Sequence, residues 1–212
     1  MIISHRHKFI FLHSRKAAGS SITVSLTRFL GNSDIVLGAI HDCIRNGVRP
    51  PRRMLVEAFR HPQPRAIYKK LLVGALWKFV SASNKNYYSS ILGKAPQHAP
   101  ATIVKDAFEA EWSDYTKFCV VRNPWGKTLS DYFWSVRGIH DPPSFTEFVN
   151  ALANGDSLGR IVPFHNSNWD MCAIEDAICV DRIIQFEDLH NGLLDVTRNI
   201  GIDWDGWLPS YD

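Results

Sequence analysis

The sequence predicts an α/β fold, a single domain over residues 1–212 with three layers (α/β/α) and a mainly parallel central sheet. Three observations carry this expectation. Apolar residues make up 45% of the 212-residue chain, enough to fill the core of one ordinary domain. Mostly apolar runs at residues 8–12, 116–121 and 180–186 have the composition of strands covered on both faces. Each run leads into a polar turn and then into apolar residues at helical spacing, the alternation from which parallel sheets are built.

In chain order, Lys8-Phe-Ile-Phe-Leu12 is the first strand, closed by a polar, glycine-containing loop. Ile22, Leu26, Phe29 and Leu30 follow at helical spacing, with Ser20 or Ser21 placed to cap the start. Residues 34–40 read as a further strand. From 45 to 70 the composition shifts: eight basic residues face the single acid Glu57, and four prolines punctuate the run. It fits a solvated connection between helices or, alternatively, an acceptor surface for something anionic. Residues 71–82 look helical, with 71–80 buried, and residues 84–96 read as a polar loop leading to Gln97-His98-Ala-Pro100. The strand at 116–121 ends at Arg122-Asn-Pro-Trp-Gly126, a turn-forming cluster, after which Leu129, Phe133 and Val136 mark one side of a helix. Ser144-Phe-Thr-Glu147 is a capping box that opens another helix to about Ala153. After 180–186, Glu187-Asp-Leu189 leads into a helix through Asn199 that stops at Gly201.

A net charge of only +3 excludes a nucleic-acid coat or a charged disordered tail, so no nucleic-acid partner is expected. The four cysteines, Cys43, Cys119, Cys172 and Cys179, include no CxxC pair, which favours reduced thiols and a cytoplasmic location. The N-terminal segment has no charged-then-apolar leader. The most apolar stretch, 71–80, is interrupted by Lys78 and is about half the roughly 20 residues that a membrane-spanning helix needs, so no membrane span is expected. His5 and His7 lack a matched cysteine or acid, and no metal is expected.

Chemistry concentrates in two loops. His13-Ser-Arg-Lys-Ala-Ala-Gly-Ser-Ser21 supplies a lysine, a glycine that lets the backbone approach a ligand, and paired hydroxyls at a helix start, which together suit a phosphate. Lys16 precedes Gly19 and the serines, the reverse of the Walker order, which puts its ammonium on the strand side of the loop. The alternative is a polar strand-to-helix turn with a solvent-facing Lys16. Arg122-Asn-Pro-Trp-Gly-Lys-Thr-Leu-Ser130 offers a guanidinium at a strand end and a hydroxyl eight residues later, able to hold one phosphate between them. Alone, this is equally a turn where Arg122 pairs with any nearby carboxylate. Trp125 lies in the second loop and is placed to line a pocket wall, whereas Cys119 reads as core packing.

Taken together, KAAGSS and RNPWGKTLS resemble the two nucleotide loops of the sulfotransferases that use 3′-phosphoadenosine 5′-phosphosulfate (PAPS), over roughly residues 8–201. Gln185-Phe-Glu-Asp-Leu189 is similar to a late signature of the carbohydrate O-sulfotransferase and bacterial branch. The resemblance implies a P-loop-NTPase-like sulfotransferase fold. It also implies PAPS as donor and 3′,5′-adenosine diphosphate (PAP) as product, with no metal, and a hydroxyl acceptor, most simply a carbohydrate. Residues Arg15, Lys16, Ala17, Ala18, Gly19, Ser20 and Ser21 would then grip the 5′-phosphosulfate, while Arg122 and Ser130 would take the 3′-phosphate. Lys16 would neutralise the bridging oxygen as the bond to phosphate breaks. His98 would be the base, because it opens a helix at an interval before the Arg122 loop similar to that of the base in several carbohydrate sulfotransferases. A histidine titrating near neutrality suits that task, and Glu187 is the substitute. Three positions depart from the family pattern: Arg15 replaces Pro, Ala17 replaces Thr and Lys127 replaces Arg. The chain also stops at Asp212, before the terminal helices of many relatives. The competing functions are a P-loop-type kinase or nucleotide hydrolase, against which no Walker B pattern occurs, and a non-catalytic module that binds anionic glycans through residues 45–70.

Overall fold

The computed structural model describes residues 1–62, 76–159, 161 and 168–210. At its centre is a five-stranded mixed sheet in the order β3-β1-β2-β4-β7. Its strands are β1 (Ile2–Ser4), β2 (Phe9–Leu12), β3 (Ile35–Val36), β4 (Thr116–Val121) and β7 (Arg182–Gln185), while β5 (Ala173–Ile174) and β6 (Ala177–Ile178) form a separate hairpin. β2 and β4 run parallel, with Phe11 opposite Phe118, and β4 and β7 run parallel, with Val121 opposite Gln185. The carboxyl ends of β2, β4 and β7 therefore lie on one edge of the sheet, where open α/β sheets place their ligands.

The expected mainly parallel sheet is corrected to a mixed one, because β1 pairs antiparallel with both β2 and β3. The buried Asp34 carboxylate organises the β1–β2 turn. It accepts hydrogen bonds from Ser4 Oγ (2.8 Å), His5 N (2.8 Å), Arg6 N (3.1 Å) and Gly31 N (2.9 Å). Such a side-chain-built turn lets a three-residue strand fold back without a glycine turn.

Alternate strand residues feed two separate apolar clusters, as the pleat requires. Phe9, Phe11, Phe118 and Val120 pack with Ile22 and Leu26 of α1 (Gly19–Thr27), and with a helix at Leu189–Asn199 through Leu193 and Val196. Phe11 and Phe118 stack with ring centroids 5.1 Å apart. Ile10, Leu12 and Cys119 join the other cluster, which takes Ile40 from α2 (Ile40–Arg45) and Met54 and Ala58 from α3 (Arg52–Arg60). Further along the chain it takes Val80, Tyr88 and Leu92 from α4 (Leu76–Leu92), and Val104 from α5 (Ala101–Ala107). A short α6 (Glu109–Asp114) contributes Trp112 to this side.

Two sequence expectations change here. Residues 84–96 are not a polar loop: α4 continues to Leu92 because its polar side chains have buried partners on α3. Asn84 Nδ2 donates to Met54 O at 2.8 Å, and Tyr88 Oη donates to Glu57 Oε2 at 2.7 Å. Within 45–70, α3 is a packed helix rather than a solvated connection, and the lone acid Glu57 is buried and held by Arg53 at 2.6 Å. Residues 63–75, which include the rest of that basic stretch, lie outside the described residues. No helix among the described residues is long and apolar enough to cross a membrane.

The remaining helices form as the sequence predicts, with small shifts. Helix α7 (Pro124–Ser135) starts three residues earlier than expected, capped by Asn123, whose Oδ1 accepts from Trp125 N at 2.9 Å. Helix α8 (Phe145–Asn154) carries the predicted Ser144/Glu147 capping box, and α9 (Leu189–Asn199) ends before Gly201 at φ 71°.

Candidate functional site

The loop that leaves β2 is tightly constrained before α1 begins. Lys16 (φ 57°) and Ala18 (φ 56°) both adopt left-handed backbone conformations, a strain that non-glycine residues hold only where surroundings fix them. Gly19 is required sterically, because a Cβ there would lie 1.8 Å from His13 Cδ2. Ile22 N donates to Ala18 O at 3.0 Å and Thr23 Oγ1 to Gly19 O at 2.7 Å, so the helix starts at once. Its first amides point towards the loop with the positive end of the helix dipole. Ser14, in the same loop and 1% exposed, has a buried Oγ without a hydrogen-bond partner. Ala17 is buried in the core, so only its backbone can face a ligand, while Arg15, Lys16, Ala18, Ser20 and Ser21 are half-buried.

The second loop is fastened to the first. Arg122 Nη1 donates to Lys16 O at 3.1 Å, its guanidinium lies 4.1 Å from the centroid of the Phe186 ring, and it passes over Gly126, where a Cβ would come 3.3 Å from Nε. Ser130 stands one turn beyond Gly126 on the same side of α7, the side over which the Arg122 guanidinium passes at Gly126. Asn123 N donates to Glu187 Oε1 at 2.9 Å. That bond holds the Glu187 carboxyl below its ordinary range and ties the start of α9 to the Arg122 turn.

Charge converges on Lys16. Burial lowers its pKa; Asp131 opposes that shift, and the cations Arg15, Arg122 and Lys127 add to it. Lys127 and Asp131 pair at 3.0 Å on α7, and the Lys16 ammonium sits 5.5 Å from the centroid of the Trp134 ring. Four cationic side chains thus face two carboxylates, Asp131 and Glu187, at the ends of adjacent parallel strands, a field that favours an anion.

His98 ends a 3-10 turn (Pro96–His98), and its Nδ1 lies 2.8 Å from His13 O, the first residue of the anion loop. Donation from Nδ1 to that carbonyl leaves Nε2 as the acceptor nitrogen. The His98 and His13 rings meet edge to face with centroids 4.7 Å apart. The expectation of a histidine titrating near neutrality is corrected, because burial pushes His98 down to about 4 despite the backbone hydrogen bond, which acts in the opposite direction. The buried His13 is likewise held well below the ordinary histidine value, again by burial first. His165, which the sequence offers as an alternative base on the acceptor side, lies outside the described residues.

No family model, curated protein or solved structure matches this chain. The site therefore stands on its geometry. Of the residues read from sequence, Arg15, Lys16, Arg122 and Lys127 converge electrostatically, His98 joins through His13, and Ser130 joins through the face of α7. Trp125 does not behave as a pocket wall; it is 83% exposed, and Leu129 and Phe133 extend it into an outward stripe. Sequence reasoning missed Ser14, His13, Asp131, Trp134 and Phe186. Only Asp131, four residues after Lys127, left a signal, since i,i+4 charge pairs meet on a helix. Among the described residues no group of three or more His, Cys, Asp or Glu is arranged to hold a metal ion.

A surface cleft of about 510 Å³ lies at the opposite end of α1, lined by Thr27, Arg28, Asn46, Arg49, Asp205 and Trp207. We place the site at the loops rather than there. Arg28 in the cleft is already neutralised by Asp205 through bonds of 2.9 and 2.6 Å, whereas the four cations around Lys16 outnumber Asp131 and Glu187.

Proposed function

We propose that the chain is a sulfotransferase that moves a sulfuryl group from PAPS to an acceptor hydroxyl, most simply of a carbohydrate. The observation that carries this is the stitched pair of strand-end loops, with Arg122 bonded to the backbone of Lys16 and four cations around the two carboxylates of Asp131 and Glu187. The start of α1 directly after this loop, and the buried Ser14 Oγ within the loop that has no hydrogen-bond partner, favour a phosphate held by the loop. The two apolar clusters on alternate strand residues support a three-layer, P-loop-like arrangement.

On this proposal the α1 amides with Ser20 and Ser21 hold the 5′-phosphate, and Arg122 with Ser130 holds the 3′-phosphate. The acceptor oxygen attacks sulfur in line, its proton passes to His98 Nε2, and the bond from sulfur to the phosphate oxygen breaks. Lys16 donates to that departing oxygen as charge builds on it. Glu187 is a positioning residue on this account, because its carboxylate already accepts from the Asn123 amide.

Calorimetry with PAP, and with ATP plus Mg²⁺, tests the donor assignment. PAP should bind at micromolar affinity or better in EDTA, about −8 kcal/mol, and ATP more weakly. Preference for ATP with Mg²⁺ would replace the proposal with a kinase or hydrolase, and binding of neither nucleotide would leave a glycan-binding module. Ser130→Ala should weaken PAP more than adenosine 5′-phosphosulfate, which lacks the 3′-phosphate. Arg122→Ala is the less selective probe, because it also removes the bond to Lys16 O and should weaken both ligands.

A further inference from the structure

Three of the four cysteines, distant in sequence, meet in the structure. The Cys119 and Cys172 thiols are close enough to influence one another's ionisation, and the Cys172 thiol donates to Trp169 O at 3.3 Å. Cys172 and Cys179 face one another across the β5–β6 hairpin, one position beyond the Ala173–Ile178 pair, with Cys179 N donating to Cys172 O at 2.8 Å. Residues paired in this way stand about 5.5 Å apart at Cα, inside the window of about 4.4–6.8 Å that a disulfide requires. Cys119 and Cys172 are buried in the same apolar cluster, and the half-buried Cys179 packs against it. Cys43 sits apart, buried with Val24 and Val48.

We propose that this trio is an oxidation site at which a peroxide links Cys172 to one of its two neighbours as an intramolecular disulfide. Cys179, the half-buried member, is the thiol that hydrogen peroxide reaches first. One oxygen passes to its sulfur, giving a sulfenic acid, and one water leaves. The Cys172 thiol then attacks that sulfur; the S–S bond forms, the S–O bond breaks and a second water departs. Two thiols and one peroxide become one disulfide and two waters. Cys119, which neighbours Cys172 in the same apolar cluster, can exchange with the new disulfide and move it to Cys119–Cys172, freeing the Cys179 thiol. Burial raises all three thiols above their ordinary range; Asp170 raises Cys172 further, and Lys105 and Lys117 draw Cys179 back. Oxidation should therefore be slow at neutral pH and quicken as pH rises. A Cys119–Cys172 bond would fasten the hairpin to β4, three residues before Arg122.

The test treats the full chain with hydrogen peroxide, blocks remaining thiols with iodoacetamide in denaturant, and maps non-reduced peptides by mass spectrometry. The expected product is one intramolecular disulfide that includes Cys172, with free thiols falling by two from the initial four and restored by dithiothreitol. Cys43→Ser should form the same bond. Cys172→Ser, verified as folded by circular dichroism, should form none; should it fail to fold, the peptide map of the parent chain decides alone. An unchanged thiol count, a Cys119–Cys179 bond, a bond to Cys43, a cross-link between chains, or a sulfinic acid at Cys179 with Cys172 still free would each overturn the proposal.

Discussion

Lys16 occupies a left-handed backbone position between a buried strand and a helix start, half-desolvated and surrounded by other cations. A charge held in that setting is poised to meet a developing negative charge, so Lys16→Ala should slow transfer by roughly 10²–10³-fold, measured as PAP formed from PAPS with a saccharide acceptor. His98 differs in kind. Its loss should reduce turnover by roughly 10²–10⁴-fold and leave PAP affinity nearly unchanged. With its pKa held at about 4, the acid limb of activity should fall near pH 4 rather than near neutrality, and His98→Ala should remove that limb. The same histidine affects stability. Its folded pKa lies below the ordinary 6.5, so the unfolded chain takes up the proton first. The stabilisation is complete above about pH 6.5 and is lost between about 6.5 and about 4, on the order of 3 kcal/mol. Urea midpoints for the parent should fall across that window more steeply than those of His98→Gln. Equal slopes would mean that the His98 environment is not the one described.

At the scale of elements, the β2 loop depends on Gly19 for space rather than for backbone freedom. Gly19→Ala forces a Cβ into the His13 ring, which must move, and with it the carbonyl that accepts from His98. It should cost about 1–3 kcal/mol of stability and abolish measurable PAP binding, read by thermal melting and calorimetry. Retention of both would show that the His13 packing does not set the loop. The sequence displayed this loop and the Arg122 turn clearly, because a buried strand, a glycine and a hydroxyl pair leave local signals. It also located β2, β4, β7, the α8 capping box and the end of α9. It concealed β1, which is only three residues long and turns back through Asp34, a partner distant in sequence. It concealed the second half of α4 for a related reason. Ser83, Asn84 and Tyr88 look like loop polarity in one dimension, but in three they are buried, with Asn84 and Tyr88 bonded to α3. Within the site, the Arg122 to Lys16 O bond spans 106 residues and ends on a backbone atom, so no residue type announces it.

The whole molecule divides sharply between a dense sheet and an exposed rim. Phe118 is fully buried and contacts both Phe9 and Phe11, so Phe118→Ala should lower stability by about 3–5 kcal/mol in chemical denaturation. Phe133, 62% exposed on α7, should tolerate Phe133→Ser within about 0.5 kcal/mol. A large loss at Phe133 would mean that the outward stripe is covered in solution. None of the twelve residues of α7 is buried, yet the helix carries Lys127, Asp131 and Trp134 around Lys16. Foldability and specificity are thereby assigned to different letters of the sequence. Mutational drift along this helix can alter what lies beside the anion loops while the β2–β4 scaffold remains intact, which makes α7 the segment where a lineage would change what those loops hold at the least risk to folding.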